Sequence, residues 1–413
     1  MSKQNDNENS CASSKPIRLF RPLKSIAPET VPPVAWGRLE VILKVSERCN
    51  IDCTYCYFFH GENQDYTYHA PYISQQSVDA CVAAVRDAAR QAGISRVSIA
   101  FHGGEPMMLK KERFDAMCVA FREGLAELQE VQLLMQTNAM LVDAEWIEIL
   151  KRHQVHVGVS IDGPRDVHDK HRLDHQGRGT YDRTVQGIRL LQSGLERGVG
   201  AICVIDPEYE PEVIFRHLID DLQLSNLNFV LPMHDHDSMP EDLDARMAGY
   251  ISRLFTLWRE HRDKISIHVF KLLLALVSDA KLAEQYADLR KRSALLTISS
   301  DGDLGPNDDV RNTFPELFST GANVHNSALL DYLNSQQLRS YAEAVAERND
   351  ECVQCCWSTV CDGGDLLGSE AFRYRKGSGF RQPSIYCHTI QRLLPMVAEL
   401  ANLERLAVAS SSS

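Results

Sequence analysis

Cys49, Cys53 and Cys56 lie in the run Arg48-Cys-Asn-Ile-Asp-Cys-Thr-Tyr-Cys-Tyr57, a C-x3-C-x2-C spacing followed by an aromatic residue. Thiolates so spaced can cap three corners of a [4Fe–4S] cube and leave its fourth iron without a protein ligand. An open iron is where a substrate or cofactor binds, so the spacing points to chemistry rather than to stapling. A zinc knuckle and ordinary buried thiols are the competing readings. Five more of the twelve cysteines cluster near the C-terminus: Cys352, Cys355, Cys356, Cys361 and Cys387. Four thiolates there suit tetrahedral zinc or a further iron–sulfur cluster. Cys81, Cys118 and Cys203 sit in apolar stretches and read as core, and Cys11 as a tail thiol.

These thiols need a scaffold, and the hydrophobic pattern outlines one. Leu39–Val45 reads as a strand that ends at the three-cysteine loop. Helix-like and strand-like segments then alternate: Gln75–Ala92, Arg96–Phe101, Lys110–Leu128, Val131–Met135, Ala144–His153, Val155–Ile161, Tyr181–Leu195, Gly198–Ile205, Pro211–Leu222 and Leu227–Leu231. Six βα-like units predict a parallel sheet with right-handed crossovers, whose functional loops lie at the carboxyl ends of the strands. Three polar runs fall at such ends. They are His102-Gly103-Gly104-Glu105-Pro106, then Gln136-Thr137-Asn138, then Ser160-Ile161-Asp162-Gly163-Pro164 with Arg172 beyond. Two glycines let a ligand approach the backbone, and a carboxylate beside them can accept from an ammonium. Taken alone, that run is also an ordinary strand-to-helix turn.

Residues 240–300 read as helical and without evident chemistry. A boundary near 310 separates a body (37–310) from a second region (311–408), which ends in a helix, His388–Val408, packed back on the body. Residues 1–36 read as a mobile segment and 409–413 as a disordered tail. The formal net charge of −12 argues against a broad nucleic-acid-binding surface. No apolar run approaches the roughly 20 residues of a membrane span, and no signal-peptide core opens the chain. A cytoplasmic, reducing setting is expected, one that suits metal-bound thiolates.

The three-cysteine loop followed one strand later by Gly-Gly-Glu resembles the radical S-adenosylmethionine (SAM) enzymes. That resemblance implies an α/β fold, a partial (β/α)6 TIM barrel. It also implies a [4Fe–4S] cluster on Cys49, Cys53 and Cys56, with SAM chelating the open iron and yielding a 5′-deoxyadenosyl radical on reduction. Gly103, Gly104 and Glu105 would hold the methionine amino group. Ser160 and Arg172 would contact the SAM carboxylate or ribose, and Tyr57 the adenine. Asn138 and Asp162 carry a cofactor-site reading beside a structural one.

The C-terminal cysteines resemble the SPASM extension of radical SAM peptide maturases. A full extension binds two auxiliary clusters, and Cys352, Cys355, Cys361 and Cys387 match the ligands of the distal one. The hairpin 299–308, where the proximal cluster takes cysteines, has none, and the later ligand position is Asp365. One auxiliary [4Fe–4S] cluster is therefore expected, with Cys356 a spare free thiol and a zinc ribbon the alternative. Asp308 follows Asn307, which stands at the lost cysteine position. In sulfatase-maturing relatives the Asp at this place acts as a general base; a turn or cap role competes.

Ser160-Ile-Asp-Gly-Pro, the single-cluster pattern and the Gly379–Cys387 run resemble, more narrowly, the maturases of ribosomally made peptides, notably the cyclophane-forming Xye, Grr and Fxs types. The implied partners are a precursor peptide with an aromatic residue in its core and an external electron donor of flavodoxin or ferredoxin type, with no nucleic acid and no membrane. The implied product is a C–C bond between an aromatic ring and a side-chain β-carbon. Thioether formation of the sactisynthase kind, formylglycine formation as in sulfatase-maturing enzymes, and a non-catalytic zinc scaffold are the alternatives. The segment before the first strand is too short for a leader-binding domain, so the leader is expected to dock elsewhere on this chain or on a separate protein.

Overall fold

The computed structural model describes residues 36–411. The N-terminal segment up to residue 35, Cys11 and residues 412–413 lie outside them. Six strands alternate with helices in chain order: β1 (Arg38–Ser46), α1 (Gln75–Ala92), β2 (Arg96–Gly103), α2 (Lys111–Gly124), β3 (Glu130–Thr137), α3 (Ala144–Arg152), β4 (His156–Ser160), α4 (Tyr181–Gly194), β5 (Gly200–Val204), α5 (Pro211–Arg216) and β6 (Asn226–Val230). Strands β1 to β6 are neighbours in that order and all parallel, the expected (β/α)6 arrangement. Register aligns Leu43 with Phe101 and Phe101 with Met135, so the carboxyl ends of these strands open on one rim.

Local sequence explains each element. In α1, Val78, Cys81, Val82, Val85 and Ala89 are buried at helical spacing and form one apolar stripe. Ser74 caps the helix by accepting from the Ser77 amide, and Gly93 ends it at φ +68°. The corresponding stripe of α2 is Phe114, Met117, Cys118 and Phe121. Cys81, Cys118 and Cys203 are core residues, as their apolar surroundings predict.

The region expected to be wholly helical is not. After the helices α6 (Leu243–His261), α7 (His268–Ser278) and α8 (Ala280–Lys291), Ser293–Ile298 forms a strand that pairs in parallel with the outer side of β1. A hairpin turned at Gly302 (φ +96°) sends Leu304–Gly305 back antiparallel beside it, and Ser266–Ile267 extends the other edge, making nine strands in all. The apolar run Ala294–Ile298 follows directly on a helix, and over so few residues periodicity does not separate strand from helix. This misread strand matters because it carries Asp308 to the carboxyl end of β1.

The C-terminal helix, Cys387–Ser411, packs against α6 and α7 and runs through residues expected to be tail. Its start is held by Asp244 of α6, whose carboxylate accepts from the His388 and Thr389 amides, each at 2.9 Å. Among the described residues no helix is long and apolar enough to cross a membrane.

Candidate active site

The rim at the carboxyl ends of β1 to β6 encloses a cavity of about 800 Å³. Cys49, Cys53 and Cys56 line it together. The loop that carries them is pinned on two sides. Ile51–Cys53 pairs antiparallel with Arg172–Asp174, placing Cys53 opposite Arg172. Asn138, at the end of β3, donates to the Asn50 side chain at 2.8 Å. Burial pushes the Cys53 thiol up to about 11 and raises Cys49 and Cys56 as well. Three crowded, desolvated thiols favour their protonated form unless a cation takes up the charge, so this donor set fits an iron–sulfur cluster.

Gly103 and Gly104 line the cavity, and each also admits a close backbone neighbour. A Cβ on Gly103 (φ +131°) would stand 2.0 Å from the Ser46 carbonyl oxygen, and one on Gly104 2.2 Å from that of Arg48. The Gly104 amide donates to Ser46 and the Glu105 amide to Arg48, at 2.8 and 2.9 Å. The close approach made possible by the glycines is therefore first that of the cysteine loop's own backbone. Gly104→Ala is expected to displace that loop, costing about 1–3 kcal/mol as overpacking does. Iron at the first cluster should fall while far-UV circular dichroism stays unchanged; full iron content in the variant would refute this.

The other expected cofactor residues, Tyr57, Glu105, Asn138, Ser160 and Arg172, also line the cavity, each bonded to neighbouring side chains or backbone. Glu105 is buried and accepts from Thr137 Oγ1 (2.7 Å), the Asn138 amide (2.8 Å) and the Met107 amide (3.0 Å). Burial pushes its carboxyl up to about 7 despite these bonds. Ser160 Oγ accepts from Gln136 at 2.8 Å. Arg172 forks onto Asp162 through Nε (2.9 Å) and Nη2 (3.3 Å), with Nη1 3.9 Å from Cys53 Sγ. Tyr55 donates its hydroxyl to the same Asp162. Asp162 thus orients an arginine against Cys53, a role beyond capping a turn. The wall opposite is apolar, with Ile202, Leu231, Met233 and Leu243, and carries a few charges such as Lys170 and Arg246.

Tyr57 reaches into a buried charged network that sequence reasoning met only at Tyr57 and Asp308. Asp308 accepts from Lys44 Nζ (2.5 Å), the Tyr57 hydroxyl (2.5 Å) and Arg311 Nε (2.9 Å), and Lys44, Asp308 and Arg311 are each at most 1% exposed. Against the burial that opposes ionisation, Lys44 and Arg311 hold its carboxyl well below the usual carboxylate range. Lys44 also contacts His102 Nδ1 at 3.3 Å, and burial followed by that ammonium lowers His102 to about 3. Asp309 and His102 line the cavity, and Asp308 does not. Lys44 had a signal in the sequence: a lysine inside the apolar run Leu39–Val45 must be paired if that strand is buried.

Cys352, Cys355, Cys361 and Cys387 converge on a second, smaller cavity of about 70 Å³. They come from the helix Asp350–Gln354, its C-cap, the end of Ser358–Cys361 and the start of the C-terminal helix. Gly364, at φ +100°, makes this possible, since a Cβ there would stand 2.4 Å from Ser384 Cβ. Burial, then the neighbouring thiols, push Cys361 up to about 12 and Cys387 to about 11. The same charge argument therefore fits a metal centre here. Cys356 does not line this cavity and, contrary to expectation, is disulfide-bonded rather than free.

Residues 43–216 match the model of the Radical SAM superfamily. An uncharacterized protein of Synechocystis sp. is 24% identical over 381 residues, 86% of this chain and 90% of its own length. A cysteine-type anaerobic sulfatase-maturating enzyme of Clostridium perfringens is 24% identical over 341 residues, covering 79% of this chain and 88% of that protein. A serine-type anaerobic sulfatase-maturating enzyme of Bacteroides thetaiotaomicron is 23% identical over 359 residues, covering 81% and 84%. Among solved structures, native anSMEcpe with bound AdoMet superposes with a TM-score of 0.74 at 20% identity over 88% of this chain and 99% of that one. That fold likeness extends well past the matched domain into the region of the second cysteine set. Residues 43–216 are therefore a radical SAM domain, and this chain is an enzyme built on it, working with a [4Fe–4S] cluster and SAM.

Proposed function

We propose that the enzyme is a maturase that removes two electrons from a peptide side chain and closes a C–C cyclophane between a β-carbon and an aromatic ring. The observation that carries this reading is the auxiliary donor set. Among the described residues a single four-thiol site is present, at Cys352, Cys355, Cys361 and Cys387. The hairpin that would feed a second site carries Ser299 and Asn307 instead of cysteine. When bound, the cluster at Cys49, Cys53 and Cys56 and SAM supply a radical able to take a hydrogen atom from carbon.

The chain's own residues then have separate tasks. The cysteine loop, held by Gly103, Gly104 and Asn138, sets the position of that radical source on the rim. Arg172, oriented by Asp162, places a cation against Cys53. The apolar wall of Ile202, Leu231, Met233 and Leu243 excludes water from a carbon radical and offers surface to an aromatic or aliphatic side chain. A second reading, oxidation of a Cys or Ser to formylglycine, is favoured by the names of the relatives.

Anaerobic co-expression with a short peptide encoded beside this gene, followed by mass spectrometry, separates the two. Loss of two hydrogens with the link mapped to an aromatic ring supports the cyclophane. A link to a cysteine sulfur moves the enzyme to thioether chemistry, and an aldehyde at Cys or Ser moves it to formylglycine formation. A peptide left unchanged overturns the neighbouring-peptide assignment.

A further inference from the structure

We propose that Asp309, and not its neighbour Asp308, is the carboxylate that receives the proton lost by the substrate in this cavity. The inference rests on the oxidative peptide chemistry proposed above, and it applies equally to the cyclophane and formylglycine readings. In both, the side chain loses one hydrogen atom, one electron and one proton.

The two adjacent aspartates are built for opposite tasks. Asp308 is closed off by Lys44, Arg311 and the Tyr57 hydroxyl, and forms no part of the cavity wall. A carboxylate so compensated is stable as an anion and has little drive to accept a proton. Asp309 is half-buried and lines the cavity. Its side chain has one long bond, from Asn307 Nδ2 at 3.5 Å, and the same nitrogen also reaches Glu370 Oε2 at 3.1 Å.

Asn307 therefore draws two carboxylates together at the position where the cysteine of a proximal cluster is missing. Two like charges so placed do not both ionise readily. Burial, then Glu370 and Asp308, push the Asp309 carboxyl up to about 7, with Asn307 and Lys44 opposing. Tyr57, whose hydroxyl faces Asp308, is a further titratable neighbour, and His102 lines the same cavity. A base poised near neutrality matches proton acceptance at working pH, whereas a strongly acidic one does not.

The step balances as follows. The hydrogen atom goes to the adenosyl radical, leaving a carbon radical. In the cyclophane reading this adds to a ring carbon and forms the C–C bond. The ring C–H bond then breaks, its proton going to the Asp309 carboxylate and one electron to an oxidant of the iron–sulfur class, which Cys352, Cys355, Cys361 and Cys387 would hold. The aromatic ring is restored and the peptide is two hydrogens lighter.

The test uses the anaerobically reconstituted full chain and two readouts. In the first, Asp309→Asn is given peptide deuterated at the β-carbon. The expected result is 5′-deoxyadenosine still formed and still carrying deuterium, with finished product down about 100-fold or more and partial recovery in Asp309→Glu. Product at the wild-type rate in Asp309→Asn overturns the proposal, as does equal loss of deuterated 5′-deoxyadenosine and product. The second readout needs no turnover: an infrared titration should show carboxylic C=O intensity lost near pH 7, with the Asp309 component missing from Asp309→Asn and only that of Glu105 left. A titration identical in both proteins overturns the proposal by itself. If the wild type modifies no peptide, the substrate reading fails while the infrared result still decides the protonation of Asp309.

Discussion

Cys49→Ala is expected to lose the iron of the first cluster while keeping that of the C-terminal site, and to stop forming 5′-deoxyadenosine. The loop geometry explains why one atom matters so much. Cys49, Cys53 and Cys56 are the three thiols on the cavity wall at this rim, and an alanine leaves two donors where a cube needs three. Asn138 and Arg172 would still hold the loop through Asn50 and the pairing of Cys53 with Arg172, so the fold should survive. Without the cluster the cofactor receives no electron, so turnover should fall by about 10³-fold or more, toward the detection limit. Iron and sulfide analysis, with electron paramagnetic resonance of the reduced protein before and after SAM, measures it. An iron content equal to the wild type would refute the ligand assignment.

Lys44→Met should destabilise the protein by about 3–5 kcal/mol, the cost of leaving one partner of a buried ion pair alone. Lys44 and Asp308 are 0% and 1% exposed and 2.5 Å apart. Arg311 compensates Asp308 in part, but its guanidinium is also engaged by Asp65. The pH dependence follows from the depressed folded-state pKa of Asp308. A group of that kind stabilises fully above its unfolded value, about 4, and the contribution is lost as the pH falls from there toward the folded value. The gap between variant and wild type should therefore be full at pH 7 and narrow only below about pH 4. Urea unfolding of the cluster-free proteins at both pH values reads this directly. A gap that instead closed between pH 7 and 5 would assign the effect to another group.

These two sites differ in how legible they were. The cysteine loop is readable because its three cysteines lie within eight consecutive residues, and local spacing alone limits which cluster they could hold. The Asp308 network joins residues 264 positions apart in its Lys44 bond and 251 in its Tyr57 bond. No local pattern reports contacts over such separations; only the unpaired look of a lysine in an apolar strand hints at them. The glycines of the second strand end were legible as positions of close approach, but not in what approaches. That partner is the Ser46 and Arg48 backbone one strand away. Likewise, the exact role of an Asp-Asp pair cannot be read from its order in the chain. Which of the two faces Lys44 and which faces the cavity depends on the turn that follows the unforeseen strand Ser293–Ile298.

By itself the sequence determined the repeating strand–helix units, the parallel sheet and the two cysteine sets, because periodicity and ligand spacing are local properties of the chain. Only the tertiary structure decided which ends of those strands enclose the cavity and that a late strand closes on the outer side of β1. It also decided that Asp308 is neutralised by ion pairing while Asp309 is left facing the cavity. The physical reason is that burial and charge compensation arise between segments far apart in the chain, and a carboxylate's chemistry is set by those neighbours rather than by its own place in the sequence.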